Sequence, residues 1–105
     1  MDINALMKQA KEMQEKMGKI QESLDSKTIT GSSGGGMVNV TATGKGDIIS
    51  ISIDEELISV EEKQRLQDLI TAATNDAIRK ARELGKQEMA GLTGGMQIPG
   101  LGNLF

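Results

Sequence analysis

The stretch GSSGGGMVNVTATGKGDIISISID, residues 31–54, decides the fold. Val38, Val40 and Ala42 alternate with Asn39, Thr41 and Thr43, the two-residue period of a half-buried strand. Ile49, Ile51 and Ile53 then alternate with Ser50 and Ser52, predicting a second strand. Between them Gly44-Lys45-Gly46-Asp47 has the glycines that a tight hairpin turn needs for positive φ. Upstream, Thr28, Ile29 and Thr30 predict a short first strand, with GSSGGG (31–36) as a flexible connection. The expectation is a three-stranded antiparallel sheet with one apolar face.

Helical spacing flanks the sheet on both sides. Over residues 3–25, Ile3, Leu6, Ala10, Met13, Met17, Ile20 and Leu24 repeat every three and four residues, as in a coiled-coil seam. Asp2 can cap this helix, Gly18 weakens it, and Glu12–Lys16 and Glu15–Lys19 are spaced for ion pairs. Over residues 59–90, Leu66, Leu69, Ile70, Ala73, Ala77, Ala81 and Leu84 line one face. Ser59 followed by Glu62 predicts a capping box at its start. Residues 91–105 hold five glycines and the one proline, Pro99, and no period, so a flexible C-terminal tail is expected after a 1–90 domain. The fold class is therefore α+β, an α-β-β-β-α subunit with two long helices.

A length argument extends this to assembly. The first helix should be ~35 Å long, whereas a six-residue strand spans only ~20 Å. One small sheet cannot cover the whole seam, and soluble monomers avoid large apolar patches. A second copy is the simplest cover, so a twofold homodimer is expected.

Composition excludes much chemistry. The 105 residues contain no cysteine and no histidine, which removes disulfides, thiolate nucleophiles and the usual neutral-pH base. No nucleophile–base arrangement is recognisable, so no catalytic residue, cofactor, metal or small-molecule substrate is expected. GSSGGG lacks the Gly-Lys-Ser/Thr of a phosphate loop, and Asp54-Glu55-Glu56 with Glu61-Glu62 lacks calcium-loop spacing. No apolar run reaches the ~20 residues of a membrane span, and the N-terminus is no targeting signal, so a cytoplasmic protein is expected.

The net charge of −3 argues against nucleic acid when taken alone. Residues 54–68 hold six acidic and two basic residues, a local −4, which leaves +1 for the rest. Arg79, Arg82 and Lys86 share one stripe of the last helix, with Lys80 beside it. They fit phosphate contacts, and equally a solvated helix end whose cations oppose the macrodipole. Lys8, Lys11, Lys16 and Lys19 lie off the seam of the first helix, interleaved with Glu12, Glu15 and Glu22. They too fit either phosphate contact or a salt-bridged solvent face.

Four pieces in register resemble one known family: MKQAKEMQEKM (7–17), the block 31–54 quoted above, LQDLITAATNDAIRKA (66–81) and LTGGMQIPG (92–100). Together they resemble the YbaB/EbfC nucleoid-associated proteins. That resemblance implies an α-β-β-β-α subunit, a tweezer-like homodimer, binding to double-stranded DNA and a nucleoid location. The eight basic residues named above are then the candidate DNA contacts. With no Tyr, Trp or internal Phe to stack on bases, single-strand readout is disfavoured. A dimeric scaffold that holds protein partners through its helical arms is the alternative of a different class.

Overall fold

The computed structural model describes residues 2–93. Helix α1 spans Ile3–Ser26, and its N-cap Asp2 accepts the Asn4 N–H at 3.0 Å. Strands β1 (Thr28–Ser33), β2 (Val38–Thr43) and β3 (Ile48–Ile53) follow, then two 3₁₀ turns (Glu55–Leu57 and Val60–Glu62) and helix α2 (Lys63–Thr93). The α-β-β-β-α order is the expected one. Expectations for the tail concern residues that, from 94 onward, lie outside those described. The last helix itself continues past residue 90 to Thr93.

The sheet is antiparallel in the order β1-β2-β3. Val38, Val40 and Ala42 are fully buried under Ala73 and Ala77 of α2, and Leu57 from the first 3₁₀ turn plugs the same core. Alanines on α2 and a central strand of Val and Ala allow the helix to sit close to the sheet. The helix covers β1 and β2 and leaves β3 at an uncovered edge. Val40 pairs with Ile51 and Val38 with Ile53, so these pairs share a face. Yet Ile51 is 46% exposed, because α2 does not reach it.

The glycine run divides differently from the sequence expectation. Gly31, Ser32 and Ser33 belong to strand β1, and only Gly34–Gly36 form the turn, all three with positive φ. Gly31 is a point of contact with α2: a Cβ there would run into the Ala77 nitrogen and sit 2.5 Å from the Ala73 carbonyl oxygen. Ser33 donates its hydroxyl to the Leu69 carbonyl at 2.6 Å. The run is a strand pressed on a helix, followed by a turn, and no loose connection.

A second expectation is corrected at the start of α2. The Ser59 side chain makes no capping hydrogen bond. A 3₁₀ turn intervenes, in which the Glu62 N–H donates to the Ser59 backbone carbonyl at 3.2 Å, and α2 begins at Lys63. The real cap in this region is Asp54, whose carboxylate accepts the Glu56 N–H at 2.9 Å.

Helix α1 has no buried residue. Its C-terminal end is tied down where the Gly44 N–H donates to the Leu24 carbonyl at 2.9 Å. A Cβ on Gly44 would lie 2.6 Å from that oxygen, so the hairpin and the helix end meet backbone to backbone. From there α1 runs antiparallel to the C-terminal half of α2 and projects beyond the sheet. The molecule measures 69 × 25 × 16 Å.

Candidate nucleic-acid interface

The α1/α2 junction gathers the basic residues. Met17, Ile20 and Leu24 of α1 face Gly85 and Met89 of α2 across a groove of about 350 Å³, with Arg82 and Lys86 on its rim. Lys16 and Lys19 border the neighbouring hollow beside Glu88 and Gly91. Four of the eight expected cations, Lys16, Lys19, Arg82 and Lys86, therefore frame one helix–helix seam. Lys8 and Lys11 lie farther along the projecting part of α1. None of these six is in an ion pair among the described residues. The expected Glu12–Lys16 and Glu15–Lys19 pairs do not form.

Arg79 and Lys80 are engaged elsewhere. Asp76 holds the Arg79 guanidinium at 2.5 Å and the Lys80 ammonium at 3.2 Å. The same carboxylate accepts the Ser32 N–H at 3.0 Å, and Lys80 also donates to the Thr30 carbonyl at 3.0 Å. The Ser32 hydrogen bond first, and the Lys80 contact next, hold the Asp76 carboxyl below its ordinary range. Asp76 and Lys80 thus fasten α2 to strand β1, while Arg79 is held by Asp76 on its own helix, so the stripe Arg79–Arg82–Lys86 is split by the partner of its first member.

Sequence reading missed Lys45, which sits in the exposed hairpin and borders a hollow with Arg82, Gly46 and Gly85. Its position in the turn next to the basic helix was the available signal, but the turn's docking on α1 and α2 is a tertiary fact. Lys27 was also missed: it forms an ion pair with Glu88 that latches the end of α1 to α2. No group of three His, Cys, Asp or Glu side chains among the described residues could hold a metal. No described helix is long and apolar enough to cross a membrane.

Residues 1–96 match the sequence profile of the YbaB/EbfC DNA-binding family. The chain belongs to that family. A nucleoid-associated protein of Desulfotalea psychrophila is 59% identical over 105 residues, covering 100% of this chain and 99% of the relative. Another, from Caldanaerobacter subterraneus subsp. tengcongensis, is 47% identical over 100 residues, covering 95% and 90%. The crystal structure of an uncharacterized protein from Helicobacter pylori superposes with a TM-score of 0.78 at 28% identity, covering 90% of this chain and 99% of that one. The YbaB/EbfC assignment therefore spans both helices and the whole sheet. It is a DNA-binding family.

Proposed function

We propose that two copies of this YbaB/EbfC chain pair and bind duplex DNA mainly through its backbone phosphates, in the nucleoid, with an architectural or regulatory effect. The observation that carries the phosphate reading is the group of six cations, on the α1 arm and at the α1/α2 junction, that make no ion pair among the described residues. An ammonium or guanidinium with no carboxylate partner has donors to offer a phosphate oxygen, whereas one held by Asp76 must first exchange its partner. Lys8, Lys11, Lys16, Lys19, Arg82 and Lys86 are accordingly the primary contacts. Arg79 and Lys80 are secondary, and Lys45 joins the primary set. Contacts to phosphate read no bases, so binding is insensitive to sequence.

The test is fluorescence anisotropy with a duplex of about thirty base pairs, at two salt concentrations. Removing one phosphate-binding cation lowers the log–log salt slope by about 0.9. Arg82→Ala/Lys86→Ala should weaken binding and flatten that slope. Arg79→Ala should do markedly less. Equal effects from the two would remove the ion-pair ranking. A wild-type chain that fails to bind at low salt would overturn the DNA reading and favour a scaffold holding protein partners.

Pairing is supported by a second apolar surface. Ile48 and Ile51 on the uncovered edge strand stand 42% and 46% exposed, and Ile58 and Val60 beside it 63% and 88%. A patch of this kind on a short, unprotected edge calls for a cover. A second β3 meeting the first would satisfy the edge and bury the isoleucines on both copies at once.

A further inference from the structure

Two hollows at the α1/α2 junction join into one trough. The first, about 350 Å³, lies between Met17, Ile20 and Leu24 of α1 and Met89 of α2. The second, about 410 Å³, lies beside the hairpin turn at Gly44 and Gly46, against Ile78 and Ala81. They share Leu24, Arg82 and Gly85, so they abut at that point of α2. Among the described residues no carboxylate lines either hollow, in a chain with fifteen acidic residues. Three cations do: Lys86 at the first, Lys45 at the second and Arg82 at both. None of the three is in an ion pair among the described residues.

Two features of α2 at this point work against the helix. Gly85 sits in its interior, where glycine is less stable than alanine. Packing does not ask for it, because a Cβ at Gly85 would meet nothing within 4 Å. Its missing side chain instead leaves open the place where the two hollows meet. Arg82 and Lys86, four residues apart, are like charges on one helix face, which also destabilises. The fold requires neither feature, whereas a ligand with an apolar length and one negative end uses both. Each hollow lies at the small end of the usual range for ligand cavities, ~300–1,000 Å³. A nucleotide matches poorly. Among the described lining residues no side chain is aromatic, and Gln21 is the only neutral polar one, so a base would bury its polar edge unpaired.

We propose that the trough binds the anion of a free fatty acid. The alkyl chain lies in the first hollow, along Met17, Ile20 and Met89, where the floor from Met17 to Leu24 runs ~10 Å at the helical rise. It passes over Gly85, and the carboxylate meets the guanidinium fork of Arg82, with Lys45 and Lys86 adding to the positive field. The site belongs to the free chain and stands whether or not Arg82 also meets DNA.

Titrating octanoate, decanoate and dodecanoate into the full-length chain tests it. The methyl resonances of Met17, Ile20 and Met89 should shift, while those of Val38 and Leu57, fully buried in the sheet core, stay in place. Each lengthening by two methylenes should tighten binding roughly tenfold. Methyl shifts that appear only where the acids self-associate, or not at all, overturn the proposal, and so do equal affinities for the three acids. Arg82→Ala should weaken decanoate about tenfold and leave decanol unchanged. An equal loss for the acid and the alcohol overturns the carboxylate assignment. Gly85→Leu fills the meeting point of the hollows with a better helix former, so the chain should stay folded and lose decanoate binding. Wild-type affinity in that folded variant overturns the site.

Discussion

At the scale of single residues, Gly31 and Asp76 fasten α2 to strand β1 in different ways. Gly31 permits the approach: a Cβ would collide with the Ala77 nitrogen and lie 2.5 Å from the Ala73 carbonyl oxygen, both rigid backbone atoms. Gly31→Ala should cost about 2–3 kcal/mol, the range of an overpacked core, read as a lower urea midpoint with an unchanged slope. Asp76 then fixes the register, by accepting from Ser32 on the strand and from Arg79 and Lys80 on the helix. Its folded carboxyl titrates below the ordinary value. The charged form is thus favoured by folding, and the stabilisation is complete above the unfolded value. It is lost as pH falls through the folded one. Asp76→Asn should therefore flatten the acid limb of the stability curve, seen as a smaller drop in Tm between neutral pH and pH ~3.

At the scale of elements, the β3 edge carries the prediction on assembly. Ile51→Asp/Ile58→Asp replaces two exposed side chains with charge outside the α2 core. The variant should stay folded and sediment as a monomer at concentrations where the proposed pairing gives the wild type the mass of two chains. A dimer that survives both substitutions would place the pairing surface elsewhere. Much of the element pattern was legible beforehand. Val38, Val40 and Ala42 alternate because one face of β2 is buried under α2, and the Ala73-Ala77-Ala81 spacing marks the face of α2 that buries it. What misled was local chemistry overruled by tertiary contact. Gly31 has the residue type of a flexible linker, but its missing side chain makes room for a helix. Ser59 and Glu62 have the spacing of a capping box, but the 3₁₀ turn satisfies the Glu62 N–H with a backbone carbonyl. The partners of Arg79 and Lys80 could have been read earlier, since Asp76 precedes them by three and four residues on one helix.

At the scale of the whole molecule, charge is distributed by position rather than by amount. The chain is acidic overall, yet six cations that make no ion pair among the described residues lie along the projecting helix and at its junction with α2. The eight candidate positions were legible as basic stripes. The pairing of Arg79 and Lys80 with Asp76 was legible in their i+3 and i+4 spacing. The gathering of Lys16, Lys19, Arg82 and Lys86 at one seam was not, because it depends on how α1 and α2 meet. That gathering explains why net charge is a poor guide to the DNA reading here: a duplex samples the field of one face.

The projecting helix also affects how the protein moves through a solvent. A compact chain of this length has a radius of gyration of ~13 Å. The value here is 19.2 Å. An extended particle drags more water and diffuses more slowly than a sphere of the same mass. A single chain will therefore leave a sizing column early, at the volume of a globular protein considerably heavier than 11.2 kDa. Calibrated against globular standards, the monomeric β3 variant could pass for the dimer it is meant to disrupt. Light scattering or sedimentation equilibrium, which report mass independently of shape, will separate the two.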